Sequence, residues 1–476
     1  MDIVIDLTPI LDFLHLPPDQ MLWKFFLYFG WMILAWLFVI AALQLWLIRK
    51  QSLWFQTNKF ILLAIDIPRA NEQSPKATEN LFTYLAGAHG QISFFEKWFE
   101  GLFQLSFSFE IVSIDGYTQF LIRTPAPSRN LVESAIYSQY PDAEITEVDD
   151  YTDGMPLRFP DEEYDIWGAE FIQQRHFCYP IKTYEQFEHK MGPSETQFKD
   201  PMASLMDLCS SLRPGEQFWY QILVTPCNFD WIKSADDEVN KILGKKPKAG
   251  NDFLSWLEPM IHNFSEGVFE LFGPYEATKK EEKKSLSMME LTPVQKKKIE
   301  FIQKKASQLG FECKLRVVYL SKKDVMNKGK VGSGFVGYIK QFIDLDLNSF
   351  KPDGDYTMTK TAYFNKSARL LEKKTRLINN YIGRSTGAGR APGILTIEEL
   401  ATIWHFPIEA SSKAPMVQMA PGRKAEAPAS LPLFIEEKYT PDDIFNEKPK
   451  NEMAVVTEKI DNTQEKDNPP ENLPFA

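Results

Sequence analysis

A long apolar run near the N-terminus constrains the fold of this chain more than any other feature. Residues 25–48 are 24 consecutive positions of which only Gln44 is conspicuously polar. A helix over this run extends about 36 Å, enough to cross a hydrocarbon core of about 30 Å with some tilt. A cleaved signal peptide would have a shorter apolar stretch behind a positively charged start, but four aspartates precede this run. The run therefore predicts a single transmembrane helix, with a buried core helix as the alternative.

The charges beside the run predict its orientation. Lys24 is the only Lys or Arg before it, whereas Arg49, Lys50 and Lys59 follow it closely. Basic residues are enriched on the cytoplasmic side of membrane helices. We therefore expect a single-pass protein of the inner (cytoplasmic) cell membrane, with residues 1–24 outside and the bulk of the chain in the cytoplasm.

The remainder of the chain has the composition of folded domains. The 476 residues are 44% hydrophobic, and 64 Asp and Glu exceed 53 Lys and Arg to give a formal net charge of -11. This acidity argues against a general nucleic-acid coat, although a local basic surface is compatible with it. The cysteines lack a C-x-x-C motif, which excludes a zinc finger, an iron–sulfur cluster and a disulfide scaffold. They are Cys178, Cys209, Cys227 and Cys313.

Residues 59–150 have the pattern of an α/β module. An apolar strand near residue 60 is followed by Ser74-Pro75, a pair that commonly opens a helix. Residues 105–111 then alternate between apolar and polar side chains, as a half-buried strand does. Asp115-Gly116 is a strong signal for a two-residue hairpin. The resulting order β-α-β-β-α-β is typical of a ferredoxin-like sandwich.

An acidic linker is predicted at residues 151–170. Residues 142–170 contain eleven Asp and Glu against one Arg. This cluster lacks the fixed ligand spacing of a calcium loop. We therefore interpret it as a solvated connector.

A second module is predicted over residues 171–345. Strands over 171–183 and 217–225 flank a helix, and Thr292 begins a later helix with a capping-box pattern. The order of elements is similar to that of the first module. We therefore predict a second ferredoxin-like sandwich, interrupted by residues 228–291.

Two aromatic segments each allow two interpretations. Phe and Trp crowd residues 91–104 and, inside the interruption, residues 253–272. Aromatic amphipathic segments lie on bilayers or receive partner helices. The alternative is burial against their own module, and the sequence favours neither interpretation.

The C-terminal part divides in two. Residues 346–409 are basic and helical and end in a helix within Glu398–Pro407 (EELATIWHFP). Residues 410–476 are rich in Pro, Ala, Lys and Glu without periodicity, which predicts a disordered tail. The complete prediction is an α+β protein, with one N-terminal transmembrane helix followed by two ferredoxin-like modules and this tail.

The sequence predicts no catalytic, metal or cofactor site. The string G-x-x-x-x-G-K-[ST], whose amides and Lys hold phosphate, does not occur. Residues 383–390 (GRSTGAGR) are only superficially similar, and we interpret them as a flexible loop. Residues 332–337 match G-x-G-x-x-G, but a Lys-rich loop stands where the dinucleotide motif needs a strand. We therefore expect a non-enzymatic protein.

One electrostatic feature is not explained by these modules. Residues 322–390 hold fourteen Lys and Arg against six Asp and Glu. Such a surface can bind a nucleic-acid backbone, anionic lipid or the acidic segment 142–170, or it is a solvated helix face. The candidate residues for binding nucleic acid or anionic lipid are Lys366, Arg369, Lys373, Lys374, Arg376, Arg384 and Arg390.

Several short blocks resemble the region that precedes the motor in bacterial conjugation ATPases, which belong to the type IV secretion group with HerA/FtsK-type motors. The most specific block is Glu398–Pro407, because a similar element stands just before the P-loop domain in those proteins. The likeness spans about residues 59–410. The other blocks are Ser74-Pro75 with Glu79, Phe109–Val112, Arg123–Pro125, Tyr140–Glu144, Leu291–Pro293, and Phe311 with Arg316–Tyr319.

The resemblance implies a relative without a motor, since the sequence continues into residues 410–476 and carries no P-loop. Our leading hypothesis is a membrane-anchored scaffold that docks a separate P-loop ATPase of a conjugation-like or secretion-like machine, or sister copies of itself. The alternative is a membrane-tethered protein that binds single-stranded DNA through the basic segment 322–390.

Overall fold

The computed structural model describes most of the chain between residues 17 and 408. The predicted tail 410–476 and the aromatic segment 253–272 lie outside the described residues. The described ranges are 17–68, 71, 73–190, 196–198, 200–245, 291–362 and 365–408.

A single long helix, α1 (Pro18–Thr57), begins the described chain. Its part Gly30–Thr57 is long and apolar enough to cross a membrane, and none of its most apolar window is buried in the protein. The helix extends beyond the predicted 25–48 at both ends. Asn58 caps its C-terminus, and the Asn58 side-chain amide donates to the Trp54 carbonyl at 2.9 Å.

The first half of the folded part has the predicted order of elements. Its strands lie in the order β2-β3-β1-β4, and every adjacent pair is antiparallel. Asp115 and Gly116 join β2 to β3 with φ angles of 54° and 90°, as a type I′ hairpin turn requires. The elements are β1 (Phe60–Asp66), α2 (Pro75–Ala86), a π-helix (Glu96–Glu100), β2 (Phe107–Ile114), β3 (Tyr117–Pro125), α3 (Arg129–Tyr137) and β4 (Glu144–Val148).

The second half repeats this order around two insertions. Leaving aside the small β6–β7 hairpin and the helices α5 and α6, the chain again runs β-α-β-β-α-β, and the strand order is β8-β9-β5-β10. The elements are β5 (Tyr164–Gln173), β6 (Glu188–Lys190), β7 (Thr196–Phe198), α4 (Met202–Ser210), β8 (Glu216–Pro226), α5 (Trp231–Ile242), α6 (Pro293–Ala306), β9 (Gly310–Lys322), α7 (Lys328–Lys340) and β10 (Phe350–Pro352).

The two halves share one sheet. β2 pairs with β8 in antiparallel register from Phe107–Val224 to Ile114–Gln217, which gives the order β10-β5-β9-β8-β2-β3-β1-β4. Equivalent strands therefore recur in reverse order on the two sides of the β2–β8 pair. Joining the halves in this way satisfies backbone groups that two separate sheets would leave unpaired at their edges.

Three further elements complete the fold: α8 (Lys366–Ile382), β11 (Gly393–Thr396) and α9 (Ile397–Ile403). β11 pairs with the first residues of β9. The helices α2, α3, α4, α7 and α9 bury their apolar side chains on one face of the sheet, in a core that includes the fully buried Trp404. On the opposite face, α8 contributes Leu377, Ile378 and Tyr381 to a second core.

The acidic linker predicted at 151–170 is shorter in the structure. Its last seven residues are the start of β5, and that strand ends at Gln173 and not near residue 183. Ile166 and Ala169 are buried on opposite faces of the sheet, so the acidic composition conceals a strand with apolar side chains on both faces. The acidic residues of the strand form ion pairs, which reduces the cost of placing them there.

Candidate functional site

A row of polar side chains crosses the centre of the sheet on the face covered by α8. Glu110, Gln221, Arg316 and Glu170 lie directly opposite one another on the neighbouring strands β2, β8, β9 and β5. Each is at most 2% exposed. The Gln221 amide donates to Glu110 Oε1 at 3.0 Å, and Arg316 Nε donates to Glu170 Oε1 at 2.8 Å. We call these four residues the polar row.

The glycine-rich loop, residues 383–390, closes over the polar row. Arg384 Nε donates to Glu110 Oε1 at 2.8 Å, and its Nη1 donates to Asp150 Oδ2 at 2.6 Å. The Arg316 guanidinium donates to the Ser385 carbonyl in the loop and, at 2.9 Å, to the Asn380 carbonyl at the end of α8. The loop is therefore held to the sheet by hydrogen bonds from buried cations.

The glycine-rich loop directs backbone carbonyl oxygens at its partners, whereas a phosphate-binding loop directs backbone N–H groups at its ligand. In a phosphate-binding loop the backbone N–H groups point at the ligand. Here the carbonyl oxygens of Ser385 and Ala388 accept from Arg316 and from the Lys314 ammonium. The flexible-loop interpretation also differs from the structure, because Arg384 is buried and Gly389 lies close against Glu170.

Burial and charge pairing shift the pKa values of the groups around the polar row. Burial raises the pKa of Glu110, but the charge and hydrogen bonds of Arg384 outweigh it and lower that pKa overall. The pKa of Asp150 is lowered in the same way, by Arg384 against the effect of burial. Burial lowers the pKa of Lys314 to about 8. Arg384 therefore stabilises the charged forms of Glu110 and Asp150, whereas burial disfavours the charged form of Lys314.

The polar row was not predicted from the sequence. Its signal was a single charged or amide residue inside an otherwise apolar strand, as in the segments FEIV, YQIL, LRVV and AEFI. Such residues stand out only when the register is known, because it places them in one row on one face.

The basic residues predicted from the sequence divide into two groups. Lys366, Arg369, Arg376 and Arg390 are exposed, and Lys373 is half-buried. All of these except Arg390 belong to α8. The four residues on α8 follow one another at intervals of three and four positions, so they lie on one side of the helix.

Two of the predicted basic residues are buried. Lys374 forms an ion pair with Asp165, and Arg384 is bound to Glu110 and Asp150 as described above. Several exposed members of the set also have partners. Arg390 contacts Asp355 at 2.8 Å and Arg376 contacts Glu372, whereas the Lys373 ammonium donates to the Gly354 carbonyl at 2.9 Å.

The aromatic segment 91–104 packs on α1. Trp46 Nε1 donates to the Trp98 carbonyl at 3.2 Å, and Phe103 contacts the rings of Trp54 and Phe55. A Cβ on Gly101 would lie 2.5 Å from the Lys50 backbone, so the approach requires glycine. Phe94 and Phe95 nevertheless remain 69% exposed, and the segment is therefore neither free of the protein nor buried in it.

The block EELATIWHFP is part of the core. Trp404 contacts the rings of Phe82, Phe109 and Phe406. Thr396 and Glu399 form a capping box at the start of α9, and Glu399 also pairs with the buried Lys305 at 2.8 Å. The most specific block of the predicted resemblance thus has a packing role in this chain.

Comparisons with known proteins give a family for the chain. The search of curated proteins finds no match. A family model described as a domain of unknown function matches residues 67–343, more than half of the chain. The matched region runs from the end of β1 to just beyond α7 and contains all four residues of the polar row. The chain therefore belongs to the family "Domain of unknown function (DUF8128)".

Proposed function

We propose that the protein is a non-enzymatic, membrane-anchored scaffold that docks a separate P-loop ATPase of a conjugation-like or type IV secretion-like machine. In this proposal α1 spans the inner cell membrane with residues 1–24 outside. The folded part lies in the cytoplasm and presents surfaces to the ATPase or to sister copies.

The observation that carries the proposal is the connection between α1 and the sheet. Only two residues separate Thr57 at the end of α1 from Phe60 at the start of β1. The segment 91–104 packs against α1 as a second attachment. A sheet attached in this way to a membrane helix suits a platform for a partner protein. Such a platform can fix the position of the partner relative to the bilayer or transmit force between the two.

The internal pairing of charges also supports a scaffold. Arg316, Arg384 and Lys374 each bind a carboxylate of the same chain, so their charges stabilise the fold. We further propose that each half is a ferredoxin-like module. The basis is the order β-α-β-β-α-β, with the sheet order second-third-first-fourth in each half.

Crosslinked affinity purification of the full-length protein from its own membrane tests the proposal. We expect mass spectrometry to identify a P-loop ATPase together with pilus or secretion components. A matched variant lacking residues 410–476 tests whether the tail makes the contact, with Leu431–Ile435 and Ile444-Phe445 as its short apolar segments. Recovery of the protein alone would contradict the scaffold proposal, whereas unchanged recovery by the truncated variant would remove only the tail from it.

The membrane anchor has a separate test. A spanning α1 predicts that alkaline carbonate leaves the protein in the membrane fraction, because a buried apolar helix is not released by high pH. Release into the supernatant would contradict the anchor independently of any partner.

One observation favours a second candidate function, the binding of single-stranded DNA. Lys366, Arg369 and Arg376 are exposed on one side of α8, at spacings that suit repeated phosphate contacts. In this alternative the membrane helix tethers a DNA-binding surface, and the corresponding test is given in the Discussion.

A further inference from the structure

A cavity lies at the junction of α1, the sheet and the glycine-rich loop. Its volume is about 400 Å³, within the range of small-ligand sites. One wall is a face of α1, and the opposite wall is the start of the glycine-rich loop. The lining includes Ile48, Ser52 and Phe55 of α1, with Phe60, Phe103, Arg123 and residues 383–387.

Arg123 brings to this cavity a positive charge that is not in contact with any carboxylate of the described residues. Its guanidinium carbon lies 3.9 Å from the centroid of the Phe60 ring. Within the described part of the chain the guanidinium makes no hydrogen bond or ion pair, whereas the neighbouring Arg384 is neutralised by Glu110 and Asp150. A guanidinium carries five N–H donors in a planar fork, and none of the described residues accepts a hydrogen bond from that of Arg123.

The surroundings of Arg123 oppose its charge. Burial lowers the pKa of Arg123 to about 10, and repulsion from Arg384 adds to this effect against the attraction of Glu110 and Asp150. An anion in the cavity would offset both the effect of burial and the repulsion from Arg384. The geometry and the charge thus point to an anionic ligand.

The position along α1 identifies the source of such an anion. Arg49 and Lys50 mark the end of the apolar span, and Ile48 to Phe55 extends about 10 Å along the helix axis. The polar headgroup layer adds about 5–8 Å to each side of the hydrocarbon core. The cavity is therefore at headgroup depth. The segment 91–104, which contributes Phe103 to the cavity lining, also exposes the apolar rings of Phe94 and Phe95.

We propose that this cavity binds the phosphate group of an anionic lipid headgroup, with Arg123 as the principal ligand. The inference rests on α1 being a membrane anchor, as proposed above. Arg binds phosphate through two parallel N–H···O bonds, and the hydroxyls of Ser52, Ser106 and Thr386 line the same cavity. Phe55 and Phe103 provide an apolar wall for the glycerol and upper acyl chain.

Thermal unfolding of the full-length protein in a zwitterionic detergent tests the site. The probes are diheptanoyl phosphatidic acid, diheptanoyl phosphatidylcholine and inorganic phosphate, each added in a concentration series. We expect saturable stabilisation of the wild type by phosphatidic acid, and little by the other two. In Arg123→Gln the apparent Kd for phosphatidic acid should rise about tenfold or more, because a charge-assisted bidentate contact is lost. Arg123→Lys, which retains the charge without the fork, should have an intermediate Kd.

Arg158→Gln is the matched control, since it removes an exposed Arg that is outside the cavity lining. It should bind phosphatidic acid like the wild type. Without lipid, Arg123→Gln should unfold at the wild-type temperature or above it, because Arg123 has no ion-pair partner among the described residues to lose.

The outcomes separate this inference from the anchor. Equal responses of the wild type and Arg123→Gln to phosphatidic acid would overturn the site even if carbonate leaves the protein in the membrane. Equal stabilisation by phosphatidylcholine would show that negative headgroup charge is not recognised. A third result would be that inorganic phosphate stabilises the wild type as much as phosphatidic acid does and fails to stabilise Arg123→Gln. That result would show that the ligand of the cavity is a soluble phosphate and not a lipid. Release by carbonate would instead contradict the anchor on which the inference rests.

Discussion

Arg384 and Glu110 form a buried ion pair between residues that are 274 positions apart in the chain. Arg384 Nε lies 2.8 Å from Glu110 Oε1, and both side chains are almost completely removed from solvent. The pair joins the glycine-rich loop to β2 at the middle of the sheet. Tyr151 donates to the other oxygen of Glu110 at 2.8 Å, so the carboxylate has partners on both oxygens.

Removing one partner of this pair should destabilise the protein strongly. Glu110→Gln leaves the buried Arg384 with only Asp150 as a carboxylate partner, and we expect a loss of about 3–5 kcal/mol in the free energy of unfolding. Urea denaturation of the full-length protein in detergent, followed by Trp fluorescence, measures this loss. Glu372→Gln is the control, because its exposed pair with Arg376 is worth at most about 0.5 kcal/mol. Similar losses in both variants would show that the buried pair has no special role.

Gly389 should tolerate no side chain. Its φ is +83°, and an added Cβ would lie 2.3 Å from Glu170 Oε2. Gly389→Ala therefore combines backbone strain with a clash against the polar row, and we expect a loss of about 1–3 kcal/mol. The matched change Gly387→Ala, at a site with no heavy atom within 4 Å of the added Cβ, should alter stability by less than about 1 kcal/mol. A tolerated Gly389→Ala, measured by the same denaturation, would mean that the loop is not held against Glu170.

Lys314 should make stability rise with pH in the alkaline range. Its pKa in the folded protein is about 8, against an ordinary value of 10.5. Between these values the unfolded chain binds more protons than the folded one, so the free energy of unfolding increases as pH rises from about 8 to 10.5. The total change is at most about 3 kcal/mol.

Lys314→Met should remove this increase. The difference between the wild type and the variant, measured by urea denaturation at several pH values, cancels the titration of the tyrosines. Parallel pH profiles for the two proteins would contradict the assignment to Lys314.

Charge reversal on α8 tests the DNA-binding alternative. Replacing Lys366, Arg369 and Arg376 with Glu should weaken the binding of single-stranded DNA and reduce its salt dependence, because each lost phosphate contact removes about 0.7 from the slope of log K against log salt. Fluorescence anisotropy with a labelled oligonucleotide at several salt concentrations is the measurement. The control is Lys296→Glu, an exposed Lys on α6. If the triple variant binds DNA with the affinity and salt dependence of the wild type, α8 is excluded as the DNA-binding surface.

The local signals in the sequence predicted the corresponding elements well. The Asp115-Gly116 hairpin and the capping box at Thr292 are confirmed in the structure. The start of β5 was not predicted, because acidic residues at 161–165 masked the apolar positions that follow. A hairpin or a cap depends on a few adjacent residues. By contrast, β5 accommodates its acidic side chains because they form ion pairs with residues distant in sequence.

The basic residues show the limit of composition as a guide to function. Residues 322–390 are basic as a group, but Lys374 and Arg384 are buried in ion pairs with Asp165 and Glu110. Arg123 gave no signal beyond its place in a block of the resemblance. Its proposed role follows from the adjacent cavity and from the absence of a hydrogen-bond or ion-pair partner among the described residues.

Local sequence patterns predict the apolar helix near the N-terminus, the mixed α+β composition and most individual elements, because hydrophobic periodicity and turn residues act over a few positions. The pairing of β2 with β8, through which the two halves share one sheet, is visible only in the folded chain. The same holds for the row that Glu110, Gln221, Arg316 and Glu170 form beneath residues 383–390. The physical reason is that strand register and charge pairing join residues hundreds of positions apart, and no local pattern encodes which partners meet.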